Sequence, residues 1–171
     1  MSKRPADNAV EATSKLPKRE SEEHTWTAKV EEGLTRANAR AAELLATGPE
    51  AATVANVTEV LLLIGEHWPT QSRPNVAPTA APVRGMCLGL VYGLGGQGMK
   101  VSKVSEAFPE LTKFVNGALA ATLPEADFTW SSLQINYKYA AKRHVDGNNL
   151  GPSYIMAVGP HTGGGLWTEV R

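Results

Sequence analysis

Four prolines stand between residues 69 and 82, in "HWPTQSRPNVAPTAAPVR". Each one removes a backbone donor and disfavours helix in the residue before it. No regular element is expected to run through this stretch, so whatever lies on its two sides must fold as separate elements. The hydrophobic pattern changes across it as well. Before it, apolar residues recur every three or four positions; after it, the runs are short or alternating. Residues 68–82 therefore read as an extended proline-rich linker, with the main domain beginning near residue 83.

Upstream, "TWTAKVEEGLTRANARAAELLAT" at 25–47 carries Trp26, Val30, Leu34, Ala37, Ala41 and Leu44 on one helical face. Thr25 is the expected cap, and Gly48-Pro49 the expected stop. A second helix is expected over 50–66, with Val54, Val57, Leu61 and Ile64 aligned. Residues 24–67 thus read as a helical hairpin packed on something else. It is either a structural flank or a partner-binding element. Residues 1–23 are polar, charged and poor in large apolar groups, the composition of a disordered tail. Within them, Lys3-Arg4 and then "KLPKR" have the spacing of a bipartite nuclear-localisation signal, which an import receptor with an acidic groove would bind. An ordinary solvated tail has the same composition.

The chain has 171 residues, 17 of them basic and 17 acidic, so the formal net charge is zero. That balance argues against a strongly electrostatic binder of nucleic acid or membrane. Cys87 is the one cysteine. It excludes an intrachain disulfide and a cysteine-based zinc site, and it suits a reducing compartment. The longest strongly apolar run, Val60 to Ile64, is far too short for a membrane helix, and the charged N-terminus is unlike a secretory signal. The expected setting is intracellular, cytoplasmic or nuclear, with no membrane partner.

Beyond residue 83, "MCLGLVYGL" suits a strand. "GLGGQG" invites comparison with a phosphate loop but lacks the Gly-Lys-Ser/Thr ending, and it reads as a flexible turn. "PELTKFVNGALAATL" at 109–123 reads as a helix, with Pro109 in its first turn. "FTWSSLQINYKYAAKRHVD" at 128–146 is strand-like. Leu133, Ile135, Tyr137 and Tyr139 alternate with Gln134, Asn136 and Lys138. If no bulge interrupts it, Asn136, Lys138, His144 and Asp146 share one polar face that lines a pocket; Lys138 can equally point to solvent. His144 and Asp146 offer one neutral imidazole and one carboxylate, a donor mixture that suits Fe(II). A lone His-x-Asp is by default a surface pair, and the pattern around this one is what raises it above that default.

Taken in order, "LQINYKY", "HVDGNNLGPSYIMAVGPHTGGGLW" and the helix before them resemble the core of the iron(II)/2-oxoglutarate-dependent dioxygenase superfamily, over about residues 84–169. Ser153 to Val158 match that family's Ser-containing strand, and Gly164 to Trp167 its Gly-Gly-x-Leu turn. The resemblance implies an α+β fold: a partial double-stranded β-helix, or jelly roll, with flanking helices and the N-terminal helical hairpin. It implies that His144 and Asp146 are two arms of a facial triad on Fe(II), with 2-oxoglutarate and O2 as co-substrates. Asn136 and Tyr137 or Tyr139 lie where relatives place polar contacts to 2-oxoglutarate.

The family also has a second histidine well beyond the aspartate, then an Arg or Lys that pairs with the far carboxylate of 2-oxoglutarate. After Asp146 this sequence offers only His161, in a turn that lies away from the metal in relatives, and Arg171. About five strands are countable where a jelly roll uses about eight. The expectation is a C-terminally truncated dioxygenase-like domain at 83–171, inactive or impaired as it stands. The alternative is a non-catalytic interaction or scaffold protein that uses its N-terminal helices. A substrate would be a protein side chain or a nucleic acid. The basic tail hints at the second, and the balanced charge speaks against it.

Overall fold

The computed structural model describes residues 26–74, 76–79, 81–93, 97–123, 127–144, 151–163 and 165. Helix α1 spans Ala28–Thr47. The cap is Thr27, whose hydroxyl accepts from the Val30 N–H at 3.3 Å; the expected cap, Thr25, lies outside the described residues. The helix ends at Gly48, whose φ of 135° a side chain would not tolerate. The second helix is shorter than expected. Pro49–Ala51 form a 3-10 turn, Thr53 caps a new start, and α2 runs only over Val54–Leu62. Thr53 accepts from the Asn56 N–H at 3.2 Å, so the hydroxyl resets the helix four residues late.

Strand β1 is Thr70–Gln71, β2 is Val83–Tyr92 and β3 is Met99–Val101. Helices α3, Lys103–Ala107, and α4, Pro109–Thr122, follow, and β4 is Ser132–Asn136. β2 is the hub. Antiparallel partners take different stretches of it: β1 pairs with residues 83–84, β4 with 85–89 and β3 with 90–92. Among the described residues this makes a mixed fold of four α-helices and an open, four-stranded antiparallel sheet. None of these helices is long and apolar enough to cross a membrane.

One face of the sheet carries the core. Met86 lies opposite Ile135 and Leu88 opposite Leu133, and these residues meet α1, α2 and α4 through Leu34, Val60, Ile64, Leu111 and Phe114. Leu34, Met86, Leu88, Leu111 and Phe114 are completely buried. Each such side chain is worth roughly 1.5–3 kcal/mol of burial. Gly33 lets α1 approach the turn after α2 this closely: a Cβ there would stand 2.7 Å from the Ile64 carbonyl oxygen.

The start of α4 needs help from far away in sequence. Phe108 provides no capping side chain and Pro109 has no N–H. The Asn38 side-chain oxygen on α1 accepts from the Leu111 N–H at 2.9 Å and does the capping instead. The proline-rich stretch is also built in: Trp68, Gln71, Val76 and Ala77 are buried.

Candidate functional site

The sheet face away from the helices is made of small and polar residues. In register, Gly85 lies opposite Asn136 and Cys87 opposite Gln134. A Cβ on Gly85 would fall 2.5 Å from the Ile135 carbonyl oxygen and 3.0 Å from the Asn136 side-chain oxygen, so the glycine admits β4 and its amide. Asn136 is exposed, and Gln134 Nε2 donates to its Oδ1 at 3.1 Å. The alternation that suggested a strand to residue 146 ends here. β4 stops at Asn136, and Lys138 turns the chain with a φ of +48°, the one positive value at a described non-glycine residue. Lys138 and His144 therefore do not continue the strand face of Asn136 as expected, and Asp146 lies outside the described residues.

The turn is held by Glu66, which follows α2. Its Oε2 pairs with Arg84 Nη1 at 3.0 Å, and its Oε1 accepts from the Tyr137 hydroxyl at 3.1 Å and from Lys138 Nζ at 3.4 Å. The Tyr137 ring lies flat on Trp68, centroids 4.9 Å apart and planes 4° apart. The Tyr137 hydroxyl, then Lys138, hold the Glu66 carboxyl below the usual carboxylate range. The stabilisation this pairing gives is present above the ordinary carboxylate range and is lost as pH falls through the lowered folded value. Tyr137 and Glu66 raise Lys138 in turn, so its share is complete below the ordinary lysine range and fades as pH rises through the raised value. Glu66, Arg84 and Lys138 are solvent-exposed, which screens the effect.

Tyr139 differs from Tyr137. Its hydroxyl is buried and has no hydrogen-bond partner among the described residues. Burial pushes its pKa up, and Arg73 pulls it the other way. It lines an open groove of ≈ 230 Å³ with Thr79, Pro82, Arg84, Tyr137 and Lys138. Past it, the Lys142 N–H donates to the Val76 carbonyl and Lys142 Nζ to the Pro74 carbonyl, both at 3.0 Å.

His144 follows, exposed, with Nδ1 at 2.7 Å from the Lys142 carbonyl oxygen. A carbonyl only accepts, so Nδ1 donates in this contact. Metal-binding histidines almost always donate their other ring N–H in the same way. The contact is not diagnostic, because His161 Nδ1 meets the Gly159 carbonyl in the same i to i−2 manner at 2.9 Å. Asp146 lies outside the described residues. Among the described residues no three His, Cys, Asp or Glu side chains are grouped to hold a metal. They offer iron no closed ligand set. No chemical step through a metal follows from them.

Sequence reasoning missed Glu66, Trp68, Arg84 and Lys142. Glu66 meets its partners 71 and 72 positions away, and no local pattern marks it. No family model matches the sequence, and no curated protein or solved structure matches it.

Proposed function

We propose that residues 83–171 carry part of the double-stranded β-helix of an iron(II)/2-oxoglutarate-dependent dioxygenase, with His144 and Asp146 as two of its metal ligands. The observation that supports this most is the two-sidedness of the β2–β4 pair. One face is sealed by helices, while the other carries Cys87, Gln134 and Asn136 around a buried Gly85, small and polar groups suited to lining a site. β4 then leads toward His144, whose Nδ1 is held at the Lys142 carbonyl oxygen. Asn136, on the open face, is one of the residues assigned, with Tyr137 and Tyr139, to polar contacts with the co-substrate. A bound iron(II) with 2-oxoglutarate and O2 would supply oxidative hydroxylation of a C–H bond coupled to decarboxylation. The part of this chain's own residues is to hold the donor nitrogen, to orient it through the Lys142 carbonyl and to keep apolar surface away from the open face.

Partner binding through the N-terminal helices has less to draw on. The apolar side of α1, including Val30, Leu34, Ala37 and Ala41, is spent in the core, and its outer side shows Lys29, Glu31, Glu32 and Arg36.

Titration of the whole chain with Mn(II), followed by electron paramagnetic resonance, tests the reading. Binding that weakens by about tenfold or more in His144→Ala is the expected result. Succinate release from 2-oxoglutarate under Fe(II) and O2, above the His144→Ala control, would establish turnover. A chain that binds no Mn(II) would reject the proposal.

A further inference from the structure

Lys138 occupies a backbone region that L side chains rarely adopt, and such positions persist only where their surroundings dictate them. Here the surroundings are explicit. Glu66 takes Lys138 Nζ, the Tyr137 hydroxyl and Arg84 on one carboxylate, and Trp68 holds the Tyr137 ring from behind. Lys138 Nζ also lies 4.9 Å from the centre of that ring. Four residues later the chain is pinned again, by the two bonds from Lys142 to Pro74 and Val76. Proline-rich backbone is suited to this. It forms no ladder of its own there, so its carbonyls are available as acceptors. Between the two pins the Tyr139 side chain is partly buried against the same stretch. His144 comes directly after the second pin, bonded to the carbonyl of the pinned residue itself.

We propose that Glu66 and the carbonyls of Pro74 and Val76 form a seat that sets the path of residues 137–144, with Glu66 as a positioning residue for His144. The seat stands on this geometry alone; its meaning for metal binding rests on the dioxygenase reading. The proline-rich stretch thereby acquires a role beyond joining helices to strands. Because the ion pairs are exposed, their removal is expected to change where the segment goes far more than whether the chain folds.

The test uses the whole chain as wild type, Glu66→Gln, and Glu66→Gln combined with Lys138→Asn. The Lys142 amide, bonded to Val76, reports the seat by hydrogen exchange. Glu66→Gln is expected to speed its exchange about tenfold while core amides of α1 and α4 stay as they were. Asparagine tolerates the left-handed region better than lysine, so the double variant is expected to recover most of the protection. The Mn(II) dissociation constant should rise about tenfold in Glu66→Gln and fall back in the double variant. Unchanged Lys142 exchange in Glu66→Gln overturns the seat. Equal acceleration in α1 and α4 also overturns it, because Glu66 would then serve global stability. Faster Lys142 exchange with unaltered Mn(II) affinity overturns the positioning of His144. If the wild type binds no Mn(II), the dioxygenase reading fails, and the exchange data alone uphold or overturn the seat.

Discussion

Helix α4 and the segment 153–158 are both apolar, yet they end in opposite surroundings. Leu111 and Phe114 of α4 are completely buried. Tyr154, Ile155 and Met156 are 41 %, 73 % and 43 % exposed, and no strand is assigned there. Tyr154 meets the edge of Phe128 at 4.8 Å, and Val158 packs partly on the core. Local pattern states what a segment can bury; a facing surface decides whether it does. α4 has α1, α2 and α3 to face. A strand needs a neighbour's backbone as well as an apolar face, and no strand among the described residues covers 153–158.

If that contrast is right, damage to the helix-backed side should be severe. Phe114→Ala leaves a cavity at the meeting point of α1, α4 and β2, and is expected to cost about 3–5 kcal/mol in chemical denaturation. A loss below about 1 kcal/mol would mean that this core is loosely packed and that the two regions are more alike than their exposures suggest. Gly33→Ala probes the same region by adding atoms. The new methyl meets the Ile64 carbonyl, a backbone atom that cannot rotate away, so a loss of about 1–3 kcal/mol is expected despite the better helix propensity of alanine.

The same contrast explains what could be read from the sequence. α1 and α4 were legible because each carries its own periodicity and its own punctuation, Gly48-Pro49 after one and Pro109 opening the other. β2 was legible as an apolar run, though its pairing with three separate strands was not. The extent of β4 was misread. Tyr137 and Tyr139 continue the alternation in sequence, and the turn at Lys138 is imposed by Glu66, which lies far away along the chain. The same holds for Asn38, which caps α4 from α1. Of the candidate site, residue types and order were legible. What holds His144 was not, because it is a set of long-range contacts to a stretch that reads as a linker.

The mildest change should be the most instructive about 153–158. Ile155→Ser removes the most exposed apolar side chain of the segment. A side chain that gives up little water on folding contributes little, so stability should stay within about 0.5 kcal/mol of the wild type. The effect should appear instead in self-association, since a chain of zero net charge has little repulsion to offset an exposed apolar run. Sedimentation of the wild type and the variant at matched concentration separates the two properties. Lower self-association with unchanged unfolding is expected. A loss of more than about 2 kcal/mol would show that Ile155 is packed in solution, and that this segment belongs with the helix-backed side after all.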